Sequence, residues 1–344
     1  MEYRTLGRSG LKISPLCLGA MMFGGPTDAS TAARIVATAR AQGVNFIDTA
    51  DSYAAGASEQ AVGRAIAGDR DWWVLATKIA NPMGEGPNRR GLSRRYVGQA
   101  IEASLRRLGV ESIDLLYLHK EDHATPLAET VAALGEAMRE GKIRYFGVSN
   151  YRAWRIAEIC RLCDQAGIPR PIASQPLYNA LNRQVEVEHL PACAALGLGV
   201  VPYSPLARGV LSGKYAANAA PAADSRAGRG DKRMLESEWR TESLAIAQEI
   251  AAHARARGTT PARFALAWVL HNRLIAGAVC GPRTEAQWAE YHAALELRLD
   301  AADEALIDRL VATGHASTPG FNDPAYPIEG RLPRHHTGLA DRLP

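Results

Sequence analysis

Short apolar runs alternate with longer amphipathic stretches along this chain of 344 residues. The runs fall at residues 16–19, 44–48, 73–78, 113–119, 145–149, 172–175, 199–203 and 276–281. They read as buried strands because they are short, apolar and bounded by turn formers. Between them lie helical patterns with start and stop signals. Residues 29–42 end at Gly43, and residues 93–108 start at Ser93 and end at Gly109. Residues 126–140 follow Thr125 as N-cap, with Pro126 at the first helical position, and end at Gly141. Thr260-Pro261 repeats that start before residues 262–271, and residues 235–257 read as one long helix. Eight buried strands, each followed by a helix, predict an α/β fold: a (β/α)8 TIM barrel with its site at the carboxyl ends of the strands. Ahead of it, residues 2–6 and 11–14 flank Gly7-Arg8-Ser9-Gly10 as a small β-hairpin.

Two irregular stretches interrupt the alternation. The chain is read as one barrel domain over residues 1–344, with the hairpin in 1–15, a loop insertion at 216–234 and a tail at 315–344. Both loops emerge where strands end, so both read as lids. The tail is too polar and turn-rich to add a core element, and its removal is expected to leave the fold standing. Phe321, Tyr326 and Ile328 are suited to covering the site, against the competing reading of a frayed terminus. Arg331, Arg334, His335 and His336 leave room for an anionic substrate or a homo-oligomer contact.

Composition narrows the class. With 47% hydrophobic and 22% charged residues, the chain has enough apolar material for a sizeable core. Its 40 basic and 36 acidic residues leave a net charge of only +4, and no basic stripe with interleaved aromatics appears, which argues against nucleic acid. The first residues lack the apolar core of a signal peptide and no run approaches a membrane span, so a cytoplasmic protein without a membrane partner is expected. Five scattered cysteines agree with a reducing compartment. Cys160 and Cys163 have C-x-x-C spacing but fall inside a helical stretch at 152–166. No second pair or nearby histidine completes a zinc site, so they read as packing.

Chemistry concentrates at the strand ends. Asp48, Lys78 and His119 each close an apolar run, and Tyr53 follows the first of them by five residues. Singly, a strand-end lysine is usually solvated and a strand-end aspartate is often a turn cap. Together, a carboxylate, phenol, ammonium and imidazole on one rim form a proton-donating constellation suited to carbonyl reduction. A free tyrosine titrates near ~10, and a nearby ammonium favours its phenolate. The hydride such a reaction needs must come from a cofactor. A G-x-G-x-x-G fingerprint is missing: Gly84-Glu85-Gly86 comes nearest, but Arg89 stands where the third glycine belongs and no strand precedes it.

The chain resembles the aldo-keto reductases, in their broad bacterial and potassium-channel β-subunit-like group, over nearly its whole length. The resemblance rests on Leu18-Gly19-Ala20-Met21-Met22-Phe23-Gly24, Phe46-Ile47-Asp48-Thr49-Ala50-Asp51-Ser52-Tyr53, Leu75-Ala76-Thr77-Lys78 and Ile113-Asp114-Leu115-Leu116-Tyr117-Leu118-His119. It continues through Gly147-Val148-Ser149-Asn150, Gln175-Pro176-Leu177-Tyr178-Asn179 and Tyr203-Ser204-Pro205-Leu206 into Gly209-Val210-Leu211-Ser212-Gly213-Lys214.

The resemblance implies reversible NADPH-dependent reduction of an aldehyde or ketone, NADH being less suited. Tyr53 would be the general acid, Lys78 its activating charge, Asp48 the partner of Lys78, and His119 the group orienting the substrate oxygen. Tyr203 would stack on the nicotinamide, with Ser149, Asn150 and Gln175 on its carboxamide; Gly19, Met21 and Asp48 would also contact the cofactor. Ser204, Leu206, Gly209, Leu211 and Lys214 would wrap the pyrophosphate, and Gly281, Arg283, Gln287 and Glu290 would hold the adenosine end. Arg283, before a helix capped by Thr284, suits a 2′-phosphate; the alternative is a solvated loop arginine. Phe23 is expected in the substrate wall.

Two departures stand out. Tyr291 occupies a position where many relatives carry Asn, and Lys120-Glu121-Asp122-His123 replaces the usual continuation after His119. The latter also raises a metal-dependent barrel hydrolase, with His119, Glu121, Asp122 and His123 as ligands, though the first two strands contain no histidine. A regulatory subunit that binds the cofactor and turns over slowly is the third reading.

Overall fold

The computed structural model describes residues 1–215, 220–223 and 225–326. Ile328, Arg331, Arg334, His335 and His336 lie outside the described residues. The hairpin forms from β1 (Arg4–Thr5) and β2 (Lys12–Ile13). Then come β3 (Leu16–Gly19), β4 (Phe46–Asp48), β5 (Val74–Ile79), β6 (Ile113–Leu118), β7 (Ile143–Ser149), β8 (Ala173–Gln175), β9 (Gly199–Val200) and β10 (Ala278–Cys280). These eight are parallel, ordered β10-β3-β4-β5-β6-β7-β8-β9, so each strand pairs with its successor. The ring closes where Val200 bridges Ile275 and the Val279 N–H donates to the Pro202 carbonyl at 2.9 Å. The (β/α)8 barrel is therefore present, with the runs at their expected places.

Strand periodicity sorts the side chains into two cores. Successive residues point to opposite faces of a strand. Leu18, Ile47, Leu75, Leu116, Phe146 and Val148 face the surrounding helices. Cys17, Phe46, Val74, Ala76, Leu115, Tyr117 and Ala173 fill the barrel interior. Leu6 and Ile13 of the hairpin join the inner set and plug the amino-terminal end. Gly7 makes this possible: it sits at φ +57°, and a Cβ there would lie 2.4 Å from the Ile172 carbonyl oxygen.

Helix ends follow local chemistry, with two differences from expectation. Ser93 caps Arg94–Leu108, and Thr260 caps Pro261–His271, its hydroxyl accepting the Arg263 N–H at 3.2 Å. Thr125 does not cap its helix. Its hydroxyl donates to Asp122 at 2.7 Å, and Pro126 occupies the cap of Leu127–Arg139. Residues 235–257 are not one helix: Lys232–Ser237 and Thr241–Ala256 are separated by a bend at which Glu238 is buried. Cys160 and Cys163 are buried in Ala153–Ala166, as packing residues would be.

The start of the tail is part of the fold. The His315 carbonyl accepts the Arg183 N–H at 2.8 Å, and the Ser317 N–H donates to Leu181 at 2.9 Å. The Ser317 hydroxyl meets Ser243 at 2.8 Å, while Arg240 reaches Thr318 at 2.8 Å and lies 3.8 Å from the Phe321 ring centroid. Residues 315–321 therefore make contacts within the barrel, which sets a measurable cost on removing them. At about 0.5–1.5 kcal/mol for each hydrogen bond, a chain ending at Gly314 should melt several degrees lower, readable by thermal denaturation.

Candidate active site

Strand parity builds the site. On β4, Phe46 points inward, so Asp48 does too; on β5, Val74, Ala76 and Lys78 share that face, and on β6, Leu115 and Tyr117 do. His119 is one residue past β6, its N–H donating to the Ile79 carbonyl at 2.9 Å. Apolar layers thus fill the lower barrel, and a polar layer crowns it.

Asp48 and Lys78 form an ion pair between side chains only 2% and 1% exposed. The ammonium also donates to the Thr49 carbonyl at 2.7 Å, and Asp48 Oδ1 accepts from Gln175 Nε2 at 3.0 Å. Burial alone would drive the proton off Lys78, but Asp48 and the Tyr53 hydroxyl hold its pKa above the usual lysine value. Tyr53 opens a single 3-10 turn, Tyr53–Gly56, in which Ala54 and Ala55 sit at φ 47° and 52°. The Thr49 and Ser58 hydroxyls, 2.7 Å apart, brace that turn, and Ser58 donates to the Ala20 carbonyl. Lys78 Nζ lies 4.8 Å from the Tyr53 ring centroid. Burial nevertheless pushes the Tyr53 pKa up; Lys78 pulls it down and Asp48 pushes it up again. The ammonium acts in the expected direction, but burial outweighs it and Tyr53 stays a protonated phenol.

His119 packs edge-on to Tyr53, centroids 5.7 Å apart. Burial and the charges of Lys78 and Lys120 hold its pKa well below the ordinary histidine range, so the ring is neutral. Asn81 Nδ2 donates to His119 Nδ1 at 3.1 Å and leaves the ring hydrogen on Nε2, a donor for a substrate oxygen. The sequence places Asn81 only within an expected pocket-wall stretch, residues 80–91, with no part in the catalytic or cofactor sets. Asn150, at φ 58°, donates to the His119 carbonyl at 2.9 Å and accepts from the Tyr203 hydroxyl at 2.8 Å. Ser149 donates to the Gln175 carbonyl at 2.8 Å.

A cavity of about 730 Å³ runs from this cluster across the barrel mouth. Its walls include Gly19, Met21, Asp48, Tyr53, His119, Ser149, Asn150, Gln175, Tyr203, Ser204, Leu206, Gly209, Lys214, Gly281, Arg283, Gln287, Glu290 and Tyr291. Phe23 and Leu211 are not among them: both are fully buried in the hydrophobic core. Each lies in a segment that borders the cavity, but its side chain is turned to the apolar side. Gln287 Oε1 accepts the Arg283 N–H at 2.7 Å, and Glu290 is taken up by Thr260 and Arg263, both at 2.6 Å. Arg208, Arg226, Arg229, Arg233 and Tyr326 also line it, the arginines unanticipated because they stand on irregular loop and a short helix.

The alternative metal cluster does not assemble. Glu121 is held by Arg152 and lies 3.3 Å from His123, while Asp122 caps the local loop. Among the described residues no group of three His, Cys, Asp or Glu side chains comes together as metal ligands. No helix among them is long and apolar enough to cross a membrane.

His119 should stay neutral at pH 6, with its hydrogen on Nε2, where a free histidine (pKa about 6.5) is mostly charged. Nitrogen NMR of the labelled ring reads both properties. A charged ring at that pH would show that the cations and burial do not control it.

Comparison with known proteins bears on the same residues. The family model described as Aldo/keto reductase family matches residues 15–312. An uncharacterized oxidoreductase, YrpG, of Bacillus subtilis (strain 168) is 38% identical over 312 residues, 87% of this chain and 93% of the relative. A probable voltage-gated potassium channel subunit beta of Oryza sativa subsp. japonica is 35% identical over 303 residues, covering 86% and 92%. An L-glyceraldehyde 3-phosphate reductase of Escherichia coli (strain K12) is 35% identical over 329 residues, covering 91% and 93%. With the barrel, the buried ion pair and this coverage together, the chain belongs to the aldo/keto reductase family.

Proposed function

We propose that the protein is an NADPH-dependent oxidoreductase that reversibly reduces an aldehyde or ketone to the alcohol, with Tyr53 as general acid. The observation that carries this is the packing of a protonated phenol against a neutral Nε2–H imidazole, ring centroids 5.7 Å apart, in the wall of a cavity of about 730 Å³. Both groups donate to one oxygen, which is what a carbonyl needs as negative charge develops on it.

The cavity's donor set fits the cofactor. Tyr203 offers a ring face beside the amide groups of Asn150 and Gln175. Lys214, Arg226 and Arg283 supply cations for phosphates, and Arg283 precedes the capped helix Glu285–Ala293, whose amino terminus favours an anion. When bound, the nicotinamide supplies the hydride. The chain does the rest. His119 Nε2–H sets the carbonyl orientation, Tyr53 Oη gives up its proton to the oxygen, and Lys78 offsets the phenolate that remains. Asp48 keeps Lys78 charged and aimed.

Turnover with a reactive aldehyde separates this reading from that of a cofactor-binding subunit. Replacing Tyr53 by Phe removes only the hydroxyl. It should lower kcat by on the order of 10²–10⁴ while leaving NADPH affinity, read by fluorescence, nearly intact. Near-wild-type kcat with a good aldehyde, when hydride transfer is rate-limiting, would assign the proton to another group.

Cofactor choice is tested at Arg283. Arg283→Ala should raise KM for NADPH roughly ten- to hundredfold, the loss of about 1.5–3 kcal/mol expected for one charge-assisted fork to a phosphate. KM for NADH should barely move. Equal losses would show that Arg283 holds its loop instead.

A further inference from the structure

Six cationic side chains line the cavity (Arg208, Lys214, Arg226, Arg229, Arg233 and Arg283) against two carboxylates, Asp48 and Glu290. Both carboxylates are already engaged, Asp48 by Lys78 and Gln175, and Glu290 by Thr260 and Arg263. Arg226 is in addition paired with Asp231 at 2.7 Å, and the cations divide into two groups. Lys214, Arg226 and Arg283 suit the phosphates of the cofactor. Arg208 and Arg233 meet at the helix Lys232–Ser237: Arg208 bonds to its Ser237, and Arg233, which the helix carries, reaches Asp323 in the segment of Tyr326; the charges of both also act on Tyr203.

These two arginines differ in what they already hold. Arg233 is matched by Asp323 at 2.6 Å and Glu236 at 3.1 Å, and the first of these pairs ties the tail segment that carries Tyr326 to the helix Lys232–Ser237. Arg208 has no such match. Its Nε donates to the Ser237 hydroxyl at 3.3 Å, and no carboxylate of the described residues lies within ion-pair distance of its guanidinium. Arg208 is the leading cation acting on the buried Glu238, but neither oxygen of that carboxyl makes a hydrogen bond. The backbone also places Arg208 at a cost. Ala207, Arg208 and Gly209 run consecutively through φ 47°, 52° and 101°, a left-handed path that side-chain-bearing residues adopt only when the surroundings impose it.

We propose that Arg208 recognises an anionic group, a phosphate or a carboxylate, carried by the carbonyl substrate, with Arg233 and Tyr326 closing that end of the cavity. This rests on the carbonyl-reduction reading and names its substrate class. The fork of a guanidinium matches a phosphate or carboxylate in two parallel hydrogen bonds, and a half-buried setting strengthens them. Pairing the substrate's anion with Arg208 fixes the distance from that anion to the carbonyl, and so which aldehydes place their oxygen between Tyr53 and His119.

The test uses the full chain with NADPH and two matched pairs: glyceraldehyde with glyceraldehyde 3-phosphate, and butanal with succinic semialdehyde. The wild-type protein is expected to favour the anionic member of at least one pair by about tenfold or more in kcat/KM. Arg208→Gln should cut that preference roughly ten- to hundredfold, chiefly through KM, the range for losing one charge-assisted fork. Arg208→Lys should retain part of it. All three side chains meet the same left-handed backbone, so neither variant adds strain of its own. Three results overturn the inference: no anionic preference in the wild type, equal loss on both members of a pair, or a loss appearing instead in NADPH affinity, which would give Arg208 to the cofactor pyrophosphate. Intact NADPH binding with no turnover on any of the four aldehydes would bring down the carbonyl-reduction reading itself.

Discussion

A lysine and an aspartate, buried together where water cannot screen them, organise this barrel mouth. Neither Lys78 nor Asp48 would survive charged in that position alone, since each ion carries a desolvation cost of several kcal/mol. Each is retained because the other lies against it and because the leftover hydrogen-bonding capacity is used, by the Thr49 carbonyl and by Gln175. Removing one partner would leave an uncompensated charge, a loss of about 3–5 kcal/mol. The pair therefore couples β4, β5 and β8 energetically as well as chemically. The same geometry that keeps the ions tolerable keeps the ammonium beside the Tyr53 phenol.

The polar crown needs its apolar floor. Below Asp48 and Lys78, the inward positions of the same strands are Phe46, Val74 and Ala76, with Leu115 and Tyr117 beside them, all buried. That packing excludes water from beneath the ion pair and fixes strand register, and a register slip of one residue would turn Lys78 outward into the apolar shell. Gly147 belongs to this arrangement. A Cβ there would come within 2.7 Å of the Ala173 carbonyl oxygen and 2.8 Å of the Tyr117 ring, so β7 can lie this close to β8 only with glycine. Catalytic geometry here is a property of close packing, in which misplacement by an ångström is resisted by the whole interior.

The cavity's outer wall obeys different physics. It comes from the segments around Arg208, Arg226, Arg233 and Tyr326, joined by ion pairs and hydrogen bonds between residues far apart in the chain, such as Arg233 with Asp323. Partly exposed pairs of this kind are worth little individually, so this wall is cheaper to rearrange than the floor. On the proposed reading, the reacting groups sit on the rigid part and the substrate-selecting ones on the adjustable part. The division suits a family whose relatives here bear names as different as a sugar-phosphate reductase and a channel subunit.

Much of this could be read along the chain, because its signals are local and periodic. Short apolar runs bounded by turn formers gave the strands, and glycine stops and hydroxyl caps gave most helix ends. The strand-end placement of Asp48, Lys78 and His119 followed from those runs with the turn carrying Tyr53. What escaped depended on partners remote in sequence. Thr125 looked like a helix cap until Asp122 took its hydroxyl, and residues 235–257 carried a helical pattern that the burial of Glu238 interrupts. Phe23 and Leu211 sat in the right segments, yet which way a loop side chain turns is set by the room around it, and both found room only in the core. The tail looked dispensable from composition, while its hydrogen bonds to Arg183, Leu181 and Ser243 form only after the barrel has brought those residues together. The proton state of Tyr53 belongs with these: the neighbouring cation was legible, but the burial that outweighs it exists only once the chain has folded.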